Sequence, residues 1–286
     1  MEQNLQYTVH SKEKFYFSLK IIFSLIGYGV ILWFLYGFFS VGNIATTAVG
    51  SVFACYVLLI IAALIFRLGI MIGYLKGNAV KVRDNQVPDI YEIVKNQSEK
   101  LGLRKIPDTY ILQSGGILNA FATRFIGTNY IVLYSDILET AYDKDATAVE
   151  FIIGHELGHV KRNHLLKNLI LFPSALIPFL GAAYSRACEY TCDSIGQSLS
   201  PAGLKNGLLI LAAGKKLYAK VNTMEYCQQD LREDGFWTWF AEKVSSHPNL
   251  TKRLRVYKNV MVSEEPKRVN VPVDEAKSDH NKYMPV

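Results

Sequence analysis

A chain of 286 residues has room for one good-sized core with an appendage, or for two small domains. Half of its residues are hydrophobic and the mean hydropathy is positive, +0.13, which excludes an ordinary soluble composition. The net charge of +6 could suit nucleic acid, but the basic residues cluster beside apolar segments instead of forming one stripe, so the expected counterpart is an anionic lipid surface and no nucleic-acid partner is expected. From Ile21 to Phe66 there is no charged residue, a run long enough for two bilayer crossings at ~20 residues each. A break at Ser40-Val41-Gly42-Asn43 divides it, predicting membrane-spanning helices over about Phe17 to Phe39 and Thr46 to Ile72. Lys12, Lys14 and Lys20 flank the first, Arg67, Lys76, Lys81 and Arg83 flank the end of the second, and the connecting loop has no charge. By the positive-inside rule both outer ends, and the domain that follows, are expected in the cytoplasm of a cell whose membrane holds the hairpin.

The division of the chain is therefore a two-helix hairpin over 1–77, a folded domain over 78–260 and a polar, mobile tail over 261–286. Pro88-Asp89 opens an amphipathic helix to about Leu101, and Asp108 to Gln113, Ile117 to Thr123 and Tyr130 to Ser135 read as short strands. A helix begins near Asp143, with Ala146, Val149, Ile153, Leu157 and Val160 at helical spacing. Further helices are expected over Arg186 to Leu199, Pro201 to Val221, Met224 to Arg232, Trp237 to Ser245 and Leu250 to Tyr257. The fold class is α+β, mostly helical with a small sheet. The four cysteines show no paired framework; Cys188 and Cys192 are expected as small buried helix residues.

The chemistry centres on His155-Glu156-Leu157-Gly158-His159, an HExxH pattern inside the predicted helix. Residues at i and i+4 project from one face about a turn apart, so both imidazoles can reach one tetrahedral Zn²⁺ per chain, while Glu156 stands where a general base would meet the water. Glu189 and Asp193 form an ExxxD pair on a later helix: Glu189 offers the third ligand, and Asp193 can accept the N–H of a ligating histidine. His164 and His247 are weaker candidates; His164 reads as a helix-end histidine, because Val160-Lys161-Arg162-Asn163 contains no glycine to turn the chain back, and His247 reads as a loop residue. Residues 168–185, apolar and interrupted by Pro173 and Pro178, cannot be a single crossing, since that would carry Glu189 ~30 Å from the histidines. A short hairpin bent at the prolines, re-entrant or packed on the core, is expected instead.

The segments GNAVKV from Gly77, SGGILNAFAT from Ser114, HELGHVKRNH from His155, RACEYTCD from Arg186 and HPNLTKR from His247 together resemble the HtpX-like and CAAX prenyl protease group of integral-membrane zinc peptidases. The resemblance covers about Gly77 to Leu254 and implies a gluzincin-type domain, with His155, His159 and Glu189 as zinc ligands, Glu156 as catalytic base and Asp193 supporting them. It adds a substrate-binding edge at Asn119, Ala120, Phe121 and Ala122, and His247 with Arg253 near the reacting carbonyl. It implies a zinc endopeptidase acting on polypeptides, membrane proteins among them, in quality control or processing. Two alternatives stand beside that reading: a non-catalytic membrane scaffold with a structural zinc, and CAAX-type processing of prenylated proteins. The interval between HExxH and Glu189 departs from HtpX-type members, which commonly carry two further membrane helices there.

Overall fold

The computed structural model describes residues 5–113, 120–143 and 145–258; Asn119 and the tail expected over 261–286 lie outside them. Helices α1 (Ser11–Ser40) and α2 (Ile44–Asn78) are long and apolar enough to cross a membrane, and their most apolar stretches are almost wholly exposed. Each outruns the expected span because its charged end, the first turn of α1 and the Lys76 turn of α2, continues as helix beyond the apolar stretch. Gly42, at φ +70°, supplies the left-handed turn between them, and the Asn43 side chain caps α2 by accepting from the Ala45 N–H at 2.9 Å.

The inner end of α2 rests on a small sheet. Strand β1 (Val80–Lys81), which sequence periodicity is too short to reveal, pairs antiparallel with β2 (Asp108–Leu112). β2 runs parallel to β4 (Thr128–Tyr134), and β3 (Ala120–Phe125) pairs antiparallel with β4, giving the order β1-β2-β4-β3 with β3 at one edge. Alternation along β4 divides the two faces: Tyr130 and Val132 pack with Ile72 and Leu75 of α2, while Ile131 and Leu133 join the main core. The long apolar helix α2 is thus fastened to the domain by a hydrophobic cluster.

Helix α3 (Pro88–Lys100) covers one side of the main core, and α4 (Ser135–Asp143) leads from the sheet to α5 (Ala146–Lys161). The helix expected from near Asp143 begins at Ala146, and α4 before it was not expected; Asp145 caps α5, its Oδ1 accepting from the N–H groups of Thr147 at 3.1 Å and Ala148 at 3.3 Å. α5 is the central helix: Val149, Ile153 and Leu157 are completely buried, each burial stabilising the fold by roughly 1.5–3 kcal/mol. α6 (His164–Ile170) and a 3-10 turn (Phe172–Leu176) precede α7 (Leu180–Leu199), so the apolar 168–185 segment bends at Pro173 and returns. It lies along α1, where Ser24 Oγ donates to the Leu171 carbonyl at 3.1 Å and Tyr28 OH to the Ile170 carbonyl at 2.6 Å. α8 (Gly203–Leu217), α9 (Thr223–Arg232), α10 (Phe236–Val244) and α11 (Leu250–Val256) complete the shell.

Candidate metal centre

α5 and α7 approach closely enough to share a site because their contact is lined with small residues. A Cβ on Gly158, inside the HExxH turn, would stand 3.2 Å from the Cα and Sγ of Cys192, and one on Gly196 would stand 2.9 Å from the Phe151 carbonyl oxygen. With that spacing, His155 Nε2 lies 3.4 Å from Glu189 Oε2 and His159 Nε2 lies 3.4 Å from Glu189 Oε1. Two donors bound at ~2.0–2.1 Å to a tetrahedral zinc stand roughly 3.4 Å apart, so the three side chains fit such an ion. Their ligand atoms all fall within 4.8 Å of one another.

Each histidine is oriented from behind. His155 Nδ1 is 2.9 Å from Asp193 Oδ1, a fully buried carboxylate, so the tautomer with a proton on Nδ1 leaves Nε2 facing Glu189. Asp193 is held in turn by Arg253, whose Nε and Nη2 donate to it at 2.8 and 2.6 Å. Arg253 Nη1 also reaches Glu189 Oε2 at 3.2 Å. Burial alone would raise the pKa of Glu189; hydrogen bonds from His155 and His159, with the charge of Arg253, overrule it and hold the carboxyl well below its ordinary range. Burial would likewise lower the pKa of His155, but hydrogen bonds to Asp193 and Glu189 push it up to about 10. The two carboxylates, Glu189 and Asp193, therefore make the pocket one that favours positive charge.

The support behind His159 is one that sequence reading misses. His164, read as a helix-end histidine, is 3 % exposed and places Nδ1 3.1 Å from His159 Nδ1. Its Nε2 is 3.2 Å from Oε1 of Glu13, at the start of α1. A proton on His159 Nδ1 donated to His164, and one on His164 Nε2 donated to Glu13, satisfies every contact with neutral rings. Burial, together with the charge of His159, lowers the pKa of His164 to about 4 despite the opposing bond to Glu13, in keeping with a neutral ring. Glu13 is anchored further by Thr191 Oγ1 at 2.5 Å and Arg162 Nη2 at 2.9 Å. The missed signal was Asn163: at φ 53° it adopts the left-handed conformation that asparagine tolerates, turning the chain without a glycine. Nothing local in sequence links Glu13 to a partner 151 residues away.

In front of the histidines opens a cleft of ≈ 240 Å³ lined by Glu156, Leu165, His247 and three residues of β3, Ala120, Phe121 and Ala122. His247 sits at its mouth, its side chain 64 % exposed and its Nε2 3.7 Å from Glu189 Oε1. Arg253, which the resemblance places beside His247, also lines the cleft, where it is buried and engaged by the two carboxylates. Cys188 and Cys192 are buried free thiols, as expected, although the Cys192 sulfur lies close enough to His159 and His164 to form a second possible metal group.

The family model described as peptidase family M48 matches residues 84–174, a stretch that includes HExxH. The CAAX prenyl protease 1 homolog of Dictyostelium discoideum is 27 % identical over 126 residues, 43 % of this chain and 28 % of that protein. The crystal structure of S. mikatae Ste24p aligns with a TM-score of 0.43 and 17 % identity, covering 87 % of this chain and 66 % of that one. The chain thus spans less than a third of the curated relative and just under two thirds of the solved structure. The family match thus falls on the third of the chain that carries HExxH, in a structure that also has two apolar helices and a histidine-carboxylate group suited to a metal.

Proposed function

We propose that the chain is a gluzincin-type zinc endopeptidase, anchored by α1 and α2 with its domain, residues 78–260, on the cytoplasmic side, and that it cleaves polypeptides, membrane proteins among them. The observation that carries this reading is an incomplete ligand set beside a cleft: His155, His159 and Glu189 supply three donors, and the next side chain, Glu156, faces the same opening. A structural zinc is normally closed by four protein ligands, so three donors and an adjacent acid favour catalysis over a scaffold. The lysines and arginines that flank the uncharged run support the cytoplasmic placement.

A zinc ion bound there supplies Lewis acidity, which lowers the pKa of water and polarises a carbonyl. Glu156 accepts a proton from the attacking water at its carboxylate and returns it to the leaving amine nitrogen. Asp193 and the Glu13–His164 pair keep the two ligand histidines in the required tautomer. His247, exposed at the mouth, donates to the oxygen of the reacting carbonyl, while Arg253, in the cleft wall, balances Glu189 and Asp193. Substrate backbone lies along β3, where Ala120, Phe121 and Ala122 face the cleft; Asn119, the fourth residue of that proposed edge, precedes them.

Glu156→Gln should retain the metal and lose hydrolysis of a protein substrate such as casein by roughly 10²-fold or more, whereas His155→Ala should lose the metal. Casein cleavage by Glu156→Gln at the unaltered rate would remove Glu156 from the mechanism. The relative's name favours a second reading, CAAX prenyl processing. Comparing cleavage of a farnesylated CAAX peptide with its unprenylated twin separates the two, since a general endopeptidase needs no lipid on its substrate.

A further inference from the structure

Helix α10 carries Phe236, Trp237, Trp239, Phe240 and Val244, all at least a third exposed. At 100° per residue these side chains occupy a sector of roughly 160°, with Thr238, Ala241 and Glu242 opposite. Lys243 falls among the aromatics and sits over the Trp239 ring, 5.7 Å from its centroid. Such a face on a soluble surface would be a liability. Its neighbours indicate what covers it.

The Phe240 ring contacts that of Phe179 at 6.3 Å between centroids, and Phe179 ends the bent segment that leans on α1. That segment also exposes Ile170, Phe172 and Leu176. It meets α1 at Ser24, Gly27 and Tyr28, between four and eight residues beyond Lys20, the last charge before the uncharged run. At 1.5 Å per residue this is about 6–12 Å past the charge boundary, the depth at which interfacial elements rest. The broken backbone there is satisfied by protein: Ser24 Oγ accepts from Ser174 N–H at 3.3 Å and donates to the Leu171 carbonyl, and Tyr28 closes the Ile170 carbonyl. Non-helical backbone at membrane depth needs such partners. At the other end of α10, Arg186 Nη1 donates to the carbonyls of Glu242, Lys243 and Ser245 at 2.8, 2.8 and 2.7 Å, fixing the helix to α7.

We propose that α10 is an interfacial helix whose aromatic face, continuous with the 169–179 bend, is buried in the headgroup and upper acyl region of the leaflet that α1 enters. Trp and Phe take the apolar side of that boundary, and Lys243 extends its ammonium to lipid phosphates. Ser246 and His247, which line the cleft, follow α10 by two and three residues. Membrane contact therefore sets the height of the cleft mouth at the bilayer surface, suiting it to polypeptide segments emerging from the lipid. The inference rests on the two-span anchor proposed above.

The chain has three tryptophans, Trp33 on α1 and the pair on α10, so Trp33→Phe leaves only the pair as reporter. In full-length Trp33→Phe protein reconstituted in vesicles, lipids brominated just below the headgroups should quench emission by roughly half or more, and aqueous iodide should quench weakly. Strong iodide quenching, or burial without bromine quenching as a partner protein or second copy would give, overturns the proposal. The converse variant, Trp237→Phe with Trp239→Phe, reports on the exposed Trp33 alone. Loss of its quenching by deeply brominated lipid would instead overturn the spanning reading of α1.

Discussion

The two histidines proposed as ligands are supported differently, and the difference predicts separable effects. On the Nδ1 side, His155 leans directly on the buried charge pair Asp193–Arg253, whereas His159 reaches a carboxylate only through a neutral ring, His164, and the acid lies on α1. Asp193→Asn and Glu13→Gln should each weaken zinc affinity by roughly 10–100-fold in competition with a chelator, because each replaces the charged acceptor that fixes a tautomer with a weaker, neutral amide that can also present a donor. An unchanged affinity for Glu13→Gln would show that the contact is structural only. At this scale the sequence was readable where spacing is local: HExxH puts two rings on one helical face, and the ExxxD pair puts the second carboxylate one turn from the first. It was unreadable where a partner comes from afar, as Glu13 does, or where neighbouring charges engage a side chain, as Glu189 and Asp193 engage Arg253.

Among the elements, helices with strong periodicity lay within a few residues of expectation, and the errors fell where chemistry at a single residue breaks or extends a pattern. The Asp145 cap starts α5 at Ala146 and not near Asp143, and Gly214, at φ +82°, interrupts the end of α8 before a 3-10 turn. The α5–α7 crossing is the element contact on which the metal group depends, and it tolerates little added volume. Helical Gly→Ala ordinarily stabilises by about 1 kcal/mol through propensity. Gly196→Ala should instead destabilise, by about 1–3 kcal/mol, because the new methyl meets the backbone oxygen of Phe151, which cannot rotate away. Thermal unfolding of the detergent-solubilised chain measures this, and a raised melting temperature would contradict the packing account.

Across the whole molecule, the two apolar helices and the site are joined by three structures: the α2 end under the sheet, Glu13 on the His159 support, and the bend beside α1. Hydropathy alone reads residues 168–185 as a third crossing. The requirement that Glu189 meet the histidines excludes it, which is why the return of the chain was legible before its path along α1 was. Binding of an ion to folded chain alone stabilises it by ~2.7 kcal/mol at a hundred times the dissociation constant, so chelation should lower the melting temperature and added zinc restore it. The central claim is that one zinc is gripped by His155, His159 and Glu189, and the most direct test is zinc K-edge absorption on the reconstituted chain. The account predicts nitrogen and oxygen neighbours only, at ~2.0–2.1 Å, with no sulfur. A sulfur neighbour at ~2.3 Å would put the ion on Cys192 or Cys188 with His164, and would contradict it.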